Sequence, residues 1–331
     1  MKRLRALLLT RTIPLLSLFA AFSFVVMMFN LPLPGGTTGH AVGVAIAAIV
    51  LGPWASILAV SVALVIQAVF FGDGGITAIG ANCFNMAIVG SFVAYGVNRL
   101  IAGNAAVQSR RRVVAAAIAG YVSINAAALI AAIEFGIQPL FFTAADGTPL
   151  YAPYPIMIAV PAMMIGHLTF AGLAEMILTG GIVAYLQRAE PSLLGRDAGL
   201  AVRPSSQRIW RTRPLWAALG VLMIATPLGL LAAGTAWGEW SAEDFTNPAL
   251  RSEIQNASLR VPPPDIAPAG LARIASIWTA PIPDYAPAFI RSSSFGYALS
   301  ALFGAGLVIV TTLLLRRIGE WGEAVRGRDS A

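Results

Sequence analysis

The sequence predicts an all-α polytopic membrane protein with about eight transmembrane helices, and three observations carry that prediction. Of 331 residues, 57% are hydrophobic and only 11% are charged, against about 25% charged in an ordinary soluble domain. So few charges cannot coat a water-soluble globule of this size. A soluble enzyme, a disordered chain and a disulfide-stapled secreted module are thereby excluded, and the lone Cys83 leaves no partner for an internal disulfide. The apolar residues also gather into eight runs, and a bilayer core about 30 Å thick needs about 20 such residues per helix. Finally, the charges sort by side between those runs.

Taken in order, the runs are punctuated by their own breakers. Run 13–31 stops at Pro32, Pro34, Gly35 and Gly36. Run 40–51 is too short to cross alone and is expected to be completed by flanking turns or to lie tilted. Gly52-Pro53 separates it from run 54–71, which Gly72, Gly74 and Gly75 end. Run 82–101 follows. Arg110, Arg111 and Arg112 open run 113–133, and Pro153 and Pro155 precede run 156–185. A basic linker, 196–214, leads to run 215–233, a long acidic loop at 236–294 and a last run at 296–315. Residues 1–29 resemble a signal peptide in their basic start and apolar middle. No A-x-A-like cleavage site precedes Asn30-Leu31-Pro32 and the next run returns to the membrane, so an uncleaved first span is expected.

With the amino terminus inside, eight crossings return the carboxyl terminus to the same side. Eighteen of the 22 cations then lie inside, from Lys2, Arg3, Arg5 and Arg11 to Arg326 and Arg328. Arg251, Arg260, Arg273 and Arg291 lie outside with nine acids, Asp73, Glu134 and Asp146 among them. This is the positive-inside pattern. The formal +7 therefore reports orientation, with both termini cytoplasmic, rather than a nucleic-acid partner.

An unpaired polar group in hydrocarbon costs several kcal/mol, so polar residues inside apolar runs face protein or a cavity. They are few: His40, Gln67, Asn82, Asn85, Asn125, His167 and Glu175. His40 closes the break Pro34-Gly35-Gly36-Thr37-Thr38-Gly39. It is either a metal or solute ligand at a broken helix or a capping residue of an interfacial loop. Asn82 and Asn85 share a helix face after the second break and could satisfy the free backbone of the His40 loop, with Asp73 capping or orienting it. His167 and Glu175 lie two turns apart on nearly one face. Glu175 needs a partner or a proton, as a packing hydrogen bond or in a functional role. Small-residue positions such as Ala116 and Gly120 allow close helix packing. No G-x-x-x-x-G-K, H-E-x-x-H or G-x-S-x-G motif occurs, so no enzyme activity is expected and any ATP chemistry belongs to another chain.

Two blocks carry a family likeness. One is Pro32-Leu33-Pro34-Gly35-Gly36-Thr37-Thr38-Gly39-His40 followed by Leu51-Gly52-Pro53-Trp54. The other runs from Gln67 to Met86 through Phe71-Gly72-Asp73-Gly74-Gly75 and Gly80-Ala81-Asn82. Together with Gly166-His167-Leu168 through Glu175, they resemble the CbiM/NikM family, the substrate-binding (S) components of energy-coupling-factor transporters for cobalt and nickel. The resemblance spans about 11–195. Residues 215–318, with Pro281-Ile282-Pro283-Asp284-Tyr285-Ala286-Pro287, are similar to the small accessory membrane subunit of such systems. The implied domains are an S-component-like unit at 1–195, the linker 196–214, and a two-helix accessory-like region at 215–331.

The resemblance implies that the chain carries Co²⁺ or Ni²⁺ as cargo, with no permanent cofactor. It further implies a transmembrane coupling (T) protein and cytoplasmic ATP-binding subunits as partners, in a bacterial cytoplasmic (inner) membrane. His40 matches the family's metal-ligating histidine, with Asp73, Asn82, Asn85, His167 and Glu175 around it or along the substrate path. One departure stands out. Family members begin Met-His within an external amino-terminal helix that supplies further nitrogen ligands, whereas this chain begins Met1-Lys2-Arg3-Leu4. The missing helix is expected from an upstream segment or a separate chain, or this variant binds differently, and the chain by itself is expected to bind metal weakly. A vitamin-type S component and a non-binding scaffold subunit are the alternative readings.

Overall fold

The computed structural model describes residues 13–194, 213–232, 234–274 and 277–329, with side chains described through 318. The amino-terminal cations Lys2, Arg3, Arg5 and Arg11 and nearly all of the 196–214 linker lie outside the described residues, as do the side chains of Arg326 and Arg328.

The helices are α1 (Ile13–Met27), α2 (Val44–Leu51), α3 (Pro53–Phe71), α4 (Ile76–Ala102), α5 (Arg110–Phe141), α6 (Ile156–Ala189), α7 (Arg213–Leu231), α8 (Pro248–Ala257), α9 (Ala269–Ile274) and α10 (Ser293–Asp329). Six of them, α3 to α7 and α10, are long and apolar enough to span a membrane. All eight apolar runs are thus helical, and the protein is an all-α, multi-pass membrane protein. A two-stranded ribbon, β1 (Leu31–Pro32) with β2 (Thr38–Gly39), follows α1.

The second run is where the sequence reading needed a structure. The eight residues of α2 rise only about 12 Å at 1.5 Å per residue, so the non-helical chain before it completes this crossing: His40 and Val42 line the same cleft as Gly72, Asp73 and Gly74 at the far end of α3. Apolar all round, α2 has seven of its eight residues buried. It lies at the centre, packed on α3, α4, α5 and α6, as an all-apolar helix must. Gly52, at φ 82° and ψ 162°, turns the chain from α2 directly into α3.

The first helix is equally central. α1 packs against α3 and α10, with α7 alongside. Ser17 Oγ and Thr312 Oγ1 hydrogen-bond at 2.6 Å between α1 and α10, and the Tyr297 hydroxyl donates to the Met28 carbonyl at 2.9 Å. In lipid such pairs relieve groups that have no water to turn to. α5 packs along both α4 and α6, and Gly120 lets it approach closely: a Cβ there would lie 2.8 Å from the Glu175 carbonyl oxygen and 2.9 Å from Thr179 Oγ1. The close packing expected of this position is therefore between α5 and α6.

Three spans contain a π-helical turn: Gln67–Phe71 in α3, Cys83–Val89 in α4 and His167–Ala171 in α6. Such turns widen the helix locally and are frequent at functional sites. Each of these includes one of the polar residues singled out above, namely Gln67, Asn85 and His167.

Candidate functional site

At the end of the bundle predicted to face outward, a cleft of about 1430 Å³ opens between the two thirds of the chain that carry α1 to α6 and the last third. Its walls include His40, Asp73, Asn82, Asn85 and His167. Five of the six residues picked out from sequence therefore meet at one cavity. Glu175 does not line it and sits behind, fully buried.

His40 follows β2, at the end of the ribbon that brings the chain back to α2. His167 enters from the π-helical turn of α6. Both are half-buried and line the same cleft. His40 Nδ1 lies 3.2 Å from the Ala41 carbonyl oxygen, and His167 Nδ1 lies 2.9 Å from the Met163 carbonyl oxygen. A carbonyl can only accept, so each Nδ1 is the donor, and in the neutral imidazole Nε2 then carries the lone pair. Proteins commonly orient metal-binding imidazoles this way. Among the described residues, no three His, Cys, Asp or Glu side chains converge to hold a metal ion. The two imidazoles would contribute part of a coordination sphere.

The remaining polar groups adopt partners that local spacing did not suggest. Asn82 and Asn85, which could have satisfied the His40 loop, hydrogen-bond elsewhere. Asn82 Nδ2 donates to the Gly74 carbonyl at 3.3 Å, within its own glycine-rich turn. Asn85 Nδ2 donates to Glu134 Oε2 at 2.6 Å, tying α4 to α5. The Glu175 carboxylate serves the His40 loop instead: Oε2 accepts from Val42 N at 2.8 Å and Gly43 N at 3.0 Å. Its partners are backbone donors at a helix start, which need an acceptor oxygen from another element.

Asp73 does not orient the His40 loop. It accepts a short hydrogen bond from the Tyr285 hydroxyl, while Gln67 Nε2 donates to the same hydroxyl at 2.9 Å. The Tyr285 ring stacks on Phe71 at 4.6 Å and meets Phe24 and Tyr297 edge-on. Asp284 and Tyr285 both take left-handed backbone, with φ of 53° and 58°. Such conformations cost of order 1–3 kcal/mol each and persist where the surroundings over-determine them. Burial and the Asp73 charge push the Tyr285 hydroxyl well above the usual phenol range, so it remains a donor.

The last third also straps the ribbon. Thr38 N and Thr37 Oγ1 both donate to the Thr235 carbonyl, at 3.1 and 2.7 Å. Two residues further on, Trp237 packs edge-on against Phe135 and Trp240. Glu239 lies in the cleft, its carboxylate near Gly74. Its side chain is exposed to the cleft, with protein around it. That enclosure, together with the Asp73 charge, raises its carboxyl to about 8. Glu134, Thr235, Glu239 and Tyr285 were missed as site residues. Glu134 and Glu239 carry one signal in the sequence, a place in acidic outer loops, and Tyr285 another, the Pro281–Pro287 stretch; Thr235 carries none.

The comparisons with known proteins follow the same division. Residues 1–193 match the family described as CbiM, the cobalt uptake substrate-specific transmembrane region, and residues 211–318 match the PDGLE domain. The fused nickel transport protein NikMN of Rhodobacter capsulatus is 59% identical over 90% of this chain and 84% of its own. The probable fused nickel transport protein LarMN of Lactiplantibacillus plantarum is 40% identical over 92% of this chain and 84% of its own. The cobalt transport protein CbiM of Geobacter sulfurreducens is 34% identical over 56% of this chain and 52% of its own. A crystal structure of a truncated transition metal transporter is 52% identical, with a TM-score of 0.50 over 54% of this chain and 81% of that one.

Proposed function

The chain belongs to the CbiM family of cobalt-uptake substrate-specific transmembrane proteins, and on that premise we propose that it is the substrate-binding membrane component of an ATP-driven importer of Ni²⁺ or Co²⁺. One observation carries the reading: the two histidines of the whole sequence line the same cleft, each with Nδ1 against a carbonyl and Nε2 available. Imidazole nitrogens suit these two ions. Ni²⁺ is the first candidate, because the relatives matched along nine-tenths of the chain are named for nickel.

In this reading His40 is a metal ligand and His167 a second nitrogen at the site or on the path to it. Completing a four-coordinate site takes donors beyond these two. Asp73, Glu134, Glu239 and Asp284 line the cleft, and a carboxylate-rich cleft raises the local concentration of divalent cations. Asn82 and Asn85 hold the walls. Residues 1–195 form the binding unit, and 215–331 form an accessory region whose loop, 236–294, lies outside. The partners are a transmembrane coupling protein and cytoplasmic ATP-binding subunits, in the cytoplasmic membrane of a bacterium with both termini inside.

Nickel uptake by cells carrying the complete transport system tests the reading. His40→Ala should lower uptake at limiting Ni²⁺ by at least about tenfold, the order expected for losing one strong ligand, while the protein stays in the membrane. Unchanged uptake would favour a non-binding scaffold role instead. An unchanged vitamin import alongside it would point to the vitamin-type alternative.

A further inference from the structure

The backbone on both sides of His40 is held by groups remote in sequence. Upstream, Thr37 and Thr38 share the Thr235 carbonyl. Downstream, Val42 N and Gly43 N share Glu175 Oε2, and Ala45 N approaches Oε1 at 3.5 Å. We propose that Glu175 is a positioning residue for His40, fixing through Val42 and Gly43, just ahead of α2, the direction in which the imidazole enters the cleft. The proposal rests on the reading of His40 as a metal ligand and adds a residue to it.

A helix begins with backbone N–H groups that have no intrahelical acceptor. In a soluble protein a side chain at the cap or water accepts from them. Here neither serves. Gly43 precedes α2 in left-handed backbone, at φ 70° and ψ 13°, and no cap side chain bonds the turn. The start of α2 also lies inside the bundle, where unsatisfied donors cost several kcal/mol. An acceptor from another element is therefore required, and Glu175 of α6 supplies it.

Glu175 is itself unable to take the cargo. It is fully buried, lies outside the cleft lining, and gives its oxygens to three backbone N–H groups and to Thr179 Oγ1 at 3.5 Å. Its effect on the cleft must pass through the loop it holds. His167 stands two turns earlier on the same helix. A single element, α6, therefore presents one imidazole directly and anchors the loop that presents the other. Movement of α6 relative to α2 would change the spacing of the two rings.

The test separates reach from charge. In cells with the complete transporter, KM and maximal rate for Ni²⁺ uptake are measured for Glu175→Gln and Glu175→Asp, with membrane abundance and melting temperature recorded. The Gln side chain keeps the length and one carbonyl acceptor for Val42 N and Gly43 N, so its KM should stay within about threefold of the native value. The Asp side chain keeps the charge but is one methylene short. It should raise KM about tenfold, the size of leaving a buried backbone donor unpaired, with the maximal rate little changed. The reverse order, or a native KM for Glu175→Asp, would overturn the proposal. So would a fall in abundance that accounts for the whole loss of uptake. His40→Ala serves as the control: a native KM for that variant removes the ligand reading itself, whereas an altered KM there beside a native KM for Glu175→Asp removes only the role of Glu175.

Discussion

Tyr285 donates a hydrogen bond to Asp73 across 212 residues of sequence. The contact joins the glycine-rich turn after α3 to the segment just before α10. Two hydrogen bonds to backbone carbonyls repeat the junction: Ile282 N donates to the Phe70 carbonyl at 2.9 Å, and the Trp278 side-chain Nε1 donates to the Val69 carbonyl at 2.9 Å. Those carbonyls are free because they belong to the last turn of a helix. The last third of the chain therefore caps α3 as well as walling the cleft.

Tyr285→Phe keeps the ring on Phe71 and removes the hydroxyl, which strips Asp73 of its donor and Gln67 Nε2 of its acceptor. A cost of about 1–3 kcal/mol is expected, the range for a buried polar group left unpaired. Thermal unfolding of the purified protein in detergent should show a lowered melting temperature. An unchanged one would mean that the contact contributes no net stability.

Glu239 sets a pH dependence whose sign follows from its raised carboxyl, about 8 in the fold against about 4.3 in an unfolded chain. Between those values the folded protein holds a proton that the unfolded chain has released. Stability should therefore fall as pH rises through that window, with the full penalty present above about 8. Glu239→Gln should flatten this decline and raise the melting temperature most at alkaline pH. Parallel melting curves for the variant and the native protein from pH 5 to pH 9, taken at roughly one-unit steps, would contradict the assignment.

Gly120 is a point of close approach between α5 and α6. Gly120→Val would push β-branched bulk against the Glu175 carbonyl and Thr179, an overpacking that costs typically about 1–3 kcal/mol. Because Glu175 anchors the His40 loop, nickel uptake should fall further than membrane abundance does. Uptake that falls only in step with abundance would show that α5–α6 spacing is not transmitted to the cleft.

Much of this architecture was legible in the sequence because it rests on local signals. Apolar run length gave the spans, Pro and Gly gave the breaks, and a carboxylate within the sixth run required a partner. His40 and His167 stood out because so few polar groups enter the membrane. The rest lay in pairings between remote segments. Glu175 to Val42, Asn85 to Glu134 and Tyr285 to Asp73 span 133, 49 and 212 residues, and no periodicity links such partners. Asn82 and Asn85 shared a face as expected, yet the shared face turned to Gly74 and Glu134 rather than to the His40 loop. The π-helical turns were equally silent, since one extra residue per turn leaves an apolar run looking like any other.

The central claim is that His40 gives its imidazole to the transported ion. X-ray absorption at the nickel edge, recorded on the intact transporter loaded with Ni²⁺, tests it most directly. The native protein should show a nitrogen shell with the outer-shell scattering of imidazole, and His40→Ala should lose part of that outer-shell signal. Identical imidazole scattering in the two proteins would contradict the account.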